Sequence, residues 1–317
     1  MTLIKKTNMN NEQNTTNNKN IEEEVYSTMP PGKAALYGLL IVFFLFQFGG
    51  GLLYILIFGA DLTSANVNAL RLFNVAGQII FILAPAIILA KLVYVEDLFP
   101  ILRIKLPTKK EVVLYIIGLI ILIPLLQSFL YVQNYIFQQL ADSFSLFESL
   151  KNFADELDSL MESSYGIILS ANSIFEIIFV VLVVSITPAI CEEVFFRGFT
   201  QKSLEYSMKP FWAILITSFA FALYHFNPYG LLALTILAAY LGFSAYQSKS
   251  ILIPIILHFI NNFVSVVSYF IWGNDELMNT SIVKPEEFTL HVFSLALLST
   301  LFFLFLFYIK KNYNKFQ

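Results

Sequence analysis

Charge is scarce in this chain. Asp, Glu, Lys and Arg make up 13% of its 317 residues, where a soluble domain carries about 25%, so a fold bathed in water on every side is excluded. Cysteine occurs once, at Cys191, which rules out an internal disulfide and leaves the redox compartment open. In an apolar helix a lone cysteine reads as a small packing residue; beside two carboxylates the other reading is a metal thiolate. The His-Glu-x-x-His zinc signature is missing, as is any phosphate-cradling glycine loop. No short apolar stretch precedes a small-residue cleavage site, so a signal peptide is not expected. The net charge of −3 decides little, because in a membrane protein the placement of charges outweighs their sum.

What is abundant is apolar. Hydrophobic residues make up 57% of the chain, and phenylalanine alone contributes 33. This composition predicts an integral membrane protein of the all-α class, a polytopic helix bundle. Residues 1–32 are rich in Asn, Thr and Glu and bury too little to fold, so they read as a disordered cytosolic tail. Residues 33–317 form the membrane-embedded helical domain. About eight segments are of spanning length, roughly 20 residues: 34–59, 72–94, 112–135, 174–196, 211–226, 229–247, 250–272 and 289–309. The fifth and sixth are joined only by the turn Asn227-Pro228-Tyr229-Gly230. With both termini cytosolic, only Arg71, Lys151 and Lys284 of the 19 Lys and Arg residues fall on the outer side, as the positive-inside rule requires. Residues 95–111, with Pro100 and Pro107, are expected along the cytosolic interface. Residues 137–170 read as an amphipathic outer-surface helix with a solvated acidic face, or more sharply as a lid or substrate-access element.

Against this background the adjacent carboxylates Glu192 and Glu193 stand out, since they follow the apolar run Ile177 to Ile186. A charge at the bilayer centre costs about 2.5–3.5 kcal/mol on the mildest scale, and such groups mark functional positions. The fourth and fifth segments form a hairpin about the turn Ser207-Met208-Lys209-Pro210. Counted from that turn, Glu192 and His225 lie about equally deep, roughly 25 Å at 1.5 Å per residue. His258 enters from the same side, somewhat shallower. Three i, i+4 pairs share helix faces: Glu193 with Arg197, Phe221 with His225, and His258 with Asn262. Glu192 then points about 100° from Glu193, so arginine neutralises one carboxylate and leaves the other available. A glutamate, two histidines and an asparagine in a low-dielectric pocket suit peptide hydrolysis: a buried carboxyl serves as general acid–base, and His and Asn donors stabilise an oxyanion. The set Glu192, His225 and His258 equally suits zinc with one open position for water. Glu176 is assigned to the interface, His291 to packing, and Asn261 and Gln78 to hydrogen bonds between helices.

Glu192-Glu193-x-x-x-Arg197, Phe221-x-x-x-His225 and His258-x-x-x-Asn262 resemble the three motifs of the CPBP family. These are type II CAAX prenyl endopeptidases and the Abi-type, bacteriocin-processing intramembrane proteases. The stretch Lys249 to Pro254 leading into His258 resembles that family's third-motif helix, and the likeness covers about 175–265, the catalytic core. The resemblance implies that Glu192 activates water with His225, that His258 and Asn262 stabilise the oxyanion, and that Glu193, Arg197 and Phe221 shape the site. It implies no cofactor, with zinc as the alternative mechanism. The implied partners are the lipid bilayer and a membrane-anchored peptide or protein, with no nucleic acid. The implied location is a bacterial plasma membrane with the site opening toward the cytosol, and the implied role is CAAX-type processing or peptide maturation and self-immunity.

Two rivals differ in kind. Gly242-Phe243-Ser244-Ala245 mimics a serine-protease nucleophile motif but leaves the glutamate pair unexplained. A proton-coupled transporter, or a non-catalytic membrane scaffold, would use the carboxylates without cleaving anything.

Overall fold

The computed structural model describes residues 2–4, 25–59, 66–95, 97–272 and 285–317. Helices dominate because the long apolar runs leave no water to hydrogen-bond the backbone, and in lipid each N–H and C=O must be satisfied within its own segment. In chain order they are α1 Pro31–Phe58, α2 Val67–Val93, the short α3 Leu98–Ile101, α4 Lys109–Ser143, α5 Ser145–Leu169, α6 Ile174–Glu205, α7 Pro210–Tyr224, α8 Leu231–Ser248, α9 Leu252–Trp272 and α10 Pro285–Lys315. Among the described residues seven helices are long and apolar enough to cross a membrane. The expected fifth span, α7, is only 15 residues long, below the roughly 20 that a full crossing takes. Pro210 starts it, and after Tyr224 the chain turns at Phe226, whose φ of 48° is left-handed.

Large apolar side chains such as Leu52, Leu56, Phe303 and Phe307 are exposed on the outside of the bundle. On a water-facing surface such a belt would drive aggregation; here it is the lipid-facing surface of an integral membrane protein. Inside lie two cores. One gathers Phe195, Phe196, Phe199 and Phe221 with residues of α1 and α2. The other joins Tyr115 and Leu119 of α4 with Tyr240, Leu257 and Phe302. A Cβ at Gly118 would lie 2.1 Å from the Tyr240 hydroxyl, so glycine is what lets α4 and α8 close up and Tyr240 donate to the Tyr115 carbonyl at 2.7 Å.

Two parts of the chain differ from the sequence expectation. In the segment expected to be a disordered tail, Thr2–Ile4 (β1) pairs antiparallel with Val25–Ser27 (β2), and Val95 donates to the Tyr26 carbonyl at 3.2 Å. The β-prone residues at the two ends of the polar stretch make this short ladder; residues 5–24 lie outside the described ones. Residues 95–111 are not simply laid on a surface: Ile101, Leu102 and Arg103 are buried, and Arg103 pairs with Glu205 at the end of α6.

Helix α5 is held at two places. Near its middle, Asp155 accepts from Lys151 at 2.6 Å and from the Tyr229 hydroxyl. Burial pushes the Asp155 carboxyl up, but these two donors outweigh it and hold it below the usual carboxylate range. At its C-terminal end, the guanidinium of Arg71 on α2 donates to the carbonyls of Ile168, at 3.0 Å, and Ser170. A cation there satisfies carbonyls that the helix leaves unpaired.

Candidate active site

Helix α6 carries the centre of the site. Wide, π-type turns at Val181–Ile186 and Val194–Thr200 flank the normal helical stretch that holds Glu192 and Glu193. Such turns recur at functional positions because they re-aim side chains without breaking the helix. Pro188, inside this stretch, removes one backbone donor and favours such irregularity.

The two glutamates are adjacent and differently partnered. Glu193 is fully buried and its Oε1 accepts from two groups: Arg197 Nη1 at 2.9 Å and His258 Nδ1 at 2.8 Å. Arg197, also fully buried, donates a second bond to the Ala238 carbonyl at 3.0 Å, and its Cζ lies 4.6 Å from the Phe221 ring centroid. Charge, hydrogen bonds and an aromatic face together compensate the desolvation of this pair. Glu192 is 8% exposed and has no cationic partner among the described hydrogen bonds. Its Oε1 accepts from Gln78 Nε2 at 3.0 Å, and its Oε2 is buried with no protein donor. Glu193 Oε2 is likewise buried without a partner, so the two carboxylates differ in the arginine and histidine that Glu193 alone receives.

Phe221 is the hub for the histidines. Its ring centroid is 4.6 Å from that of His225 and 5.8 Å from that of His258. His225 sits at the C-terminal end of α7, where its Nδ1 is 2.8 Å from the Phe221 carbonyl. A carbonyl only accepts, so Nδ1 carries hydrogen and Nε2 is the free nitrogen. The same argument applied to His258, on a carboxylate oxygen, puts hydrogen on its Nδ1 as well. Both imidazoles are thus anchored through Nδ1, which leaves each Nε2 uncommitted to those bonds. The chain after His225 is fixed by the predicted turn, in which Gly230 N–H donates to the Asn227 side chain at 2.6 Å.

On α9, one turn after His258, Asn262 donates from Nδ2 to the Val184 carbonyl at 3.0 Å and accepts from Asn261 at 3.2 Å. Both ends of its amide are thus oriented, and the second Nδ2 hydrogen remains for a ligand. Asn261, expected to bond between helices, instead steadies its neighbour. His258 is anchored on Glu193. The zinc alternative needs Glu192, His225 and His258 in one coordination sphere. Among the described residues no group of three or more His, Cys, Asp or Glu side chains is placed to hold a metal ion.

The remaining candidates are accounted for locally. Cys191 packs with Phe195 and Phe196 in the first core. Glu176 accepts from Asn172 N–H at 2.6 Å, capping the start of α6. His291 stacks on Tyr131 with centroids 3.9 Å apart. Ser244 is buried and donates to the Leu241 carbonyl of its own helix at 2.7 Å, which leaves the serine-protease reading without a nucleophile. The contact that sequence reasoning undervalued is Gln78: polarity within an apolar run was the signal, but its partner 114 positions away was not readable.

Residues 174–264 match the model of the family described as Type II CAAX prenyl endopeptidase Rce1-like. No curated protein and no solved structure matches the chain. The matched stretch runs from the start of α6 through Asn262 and covers both glutamates, Arg197, both histidines of the site and their shared phenylalanine.

Proposed function

We propose that this protein is an endopeptidase that hydrolyses a peptide bond of a membrane-associated protein or peptide with a water activated by Glu192. The observation that carries this reading is the unequal surroundings of the two glutamates: Glu193 holds both Arg197 and His258 on one oxygen, while Glu192 has only the neutral Gln78 amide among the described hydrogen bonds. In the proposed step, Glu192 Oε2 takes a proton from water, and the water oxygen attacks the peptide carbonyl carbon. The carbonyl π pair moves onto oxygen, where His258 Nε2–H and the free Asn262 N–H donate to it. Collapse of that intermediate breaks the C–N bond as the proton passes to the leaving nitrogen. His225, with Nε2 unprotonated, assists the water, and Glu193 with Arg197 fixes the orientation of His258. No metal or other cofactor takes part in this scheme. The substrate class is CAAX-type protein processing or peptide maturation and self-immunity, in a bacterial plasma membrane, with the site reached from the cytosolic side.

The test uses the full chain in phosphatidylcholine vesicles with a library of prenylated and unprenylated fluorogenic peptides. Wild type should cleave at least one peptide. Glu192→Gln should keep the fold and lose about 10²–10⁴-fold in rate, the range attributed to general acid–base catalysis. Full activity in Glu192→Gln would remove the assignment.

A further inference from the structure

Two side chains bonded to each other in the site each keep an oxygen without a donor. Gln78 donates from Nε2 to Glu192 Oε1 at 3.0 Å, and both side chains are nine-tenths buried. Gln78 Oε1 and Glu192 Oε2 are each buried with no hydrogen-bond partner in the protein. Leaving one buried acceptor unsatisfied costs about 1–3 kcal/mol, and here two sit on directly bonded side chains. Two neighbouring acceptors with no donor call for a species with two donors on one atom. Water is that species, and it is also the nucleophile.

We propose that Gln78 belongs to the hydrolytic machinery: its amide N–H fixes the rotation of the Glu192 carboxylate, and its amide oxygen holds the second O–H of the attacking water. This rests on the reading of Glu192 as the base. The balance is simple. One O–H proton goes to Glu192 Oε2, the other stays on the oxygen and is held by Gln78 Oε1, and the oxygen lone pair forms the new C–O bond. A water held at both hydrogens has its lone pairs directed away from both side chains, toward the carbonyl carbon.

The placement of Gln78 is fixed, not incidental. It lies on α2, outside the family-matched stretch, at the last position before the wide turn Ile79–Leu83. Arg71 lies seven residues earlier on the same face, where it is clamped on the Ile168 and Ser170 carbonyls. That clamp sets the height of α2 against α5, and so sets the height at which Gln78 meets Glu192.

The experiment measures kcat and KM for Gln78→Met, close in volume but unable to donate, and Gln78→Asn, which keeps both groups on a shorter stem. The substrate is whichever library peptide the wild type cleaves, and thermal stability in detergent is read in parallel. Gln78→Met should lower kcat about 10²-fold, the scale of a small misplacement of reacting groups, with KM little changed. Gln78→Asn should recover only part of that loss. Adding Gln78→Met to Glu192→Gln should cost far less than it does in the wild type, because the two groups act on one water. Wild-type kcat in a folded Gln78→Met protein would overturn the proposal while leaving Glu192 as the base. Full activity in Glu192→Gln would instead overturn the functional reading beneath it. Should Gln78→Met not be recovered folded, Gln78→Asn decides alone, and wild-type kcat there counts against the proposal.

Discussion

Helix α6 carries two buried carboxylate–arginine pairs, one at Glu193 and one at Glu205, and they differ in what surrounds them. Glu205 accepts from Arg103 and from Gln201, the latter at 2.8 Å. Gln201 also donates to the Gly242 carbonyl at 3.0 Å, and the Arg103 carbonyl accepts from Ile251 N–H at 2.8 Å. That network ends on backbone: it staples the segment after α3 to the ends of α6, α8 and α9. Arg103 even adopts a left-handed φ of 57° to reach its partner. The pair at Glu193 also reaches backbone, through Arg197 on the Ala238 carbonyl, but it holds an imidazole as well and lies next to a second carboxylate. A buried ion pair by itself is weak evidence for function. Both networks reach backbone carbonyls; what separates them is the imidazole that the Glu193 network alone contains.

Three substitutions test that contrast. The largest effect is expected for Glu193→Gln, which strands Arg197 and releases His258. It should destabilise the protein by about 3–5 kcal/mol, the cost of breaking a buried pair, and lower kcat about 10²-fold in the molecules that remain folded, as read by thermal melts and steady-state kinetics. Glu205→Gln should lose a comparable amount of stability while kcat per folded molecule stays at the wild-type value. An equal loss of kcat in both variants would erase the distinction. The smallest effect belongs to Ser244→Ala, which deletes one bond within its own helix worth about 0.5–1.5 kcal/mol and should leave cleavage intact. A dead Ser244→Ala protein would revive the serine-nucleophile reading.

Much of this arrangement was legible in the chain. The membrane class follows from runs such as 31–58 and 67–93, because residues that cannot be solvated must face lipid or one another. The pairs Glu193–Arg197 and Phe221–His225 follow from helical spacing alone, since i and i+4 are neighbours on any α-helix. The hairpin turn after Tyr224 was signalled by Asn227, Pro228 and Gly230. Other features were not legible. The shortness of α7 hides in an apolar run that continues past its end. Pro188 signals an irregular helix, but the positions of the wide turns beside Glu192 follow no residue pattern. The Gln78–Glu192 bond spans 114 positions, and single-sequence periodicity carries no information at that distance.

The sequence by itself determined that the chain lives in a membrane as helices, and which few polar groups must be buried there, because hydropathy and helical period are local properties. Only the tertiary structure decided which of two adjacent glutamates receives the arginine and the histidine and which meets a glutamine from another helix. That choice depends on how helices rotate against each other when they pack, and rotation is fixed by contacts between distant segments.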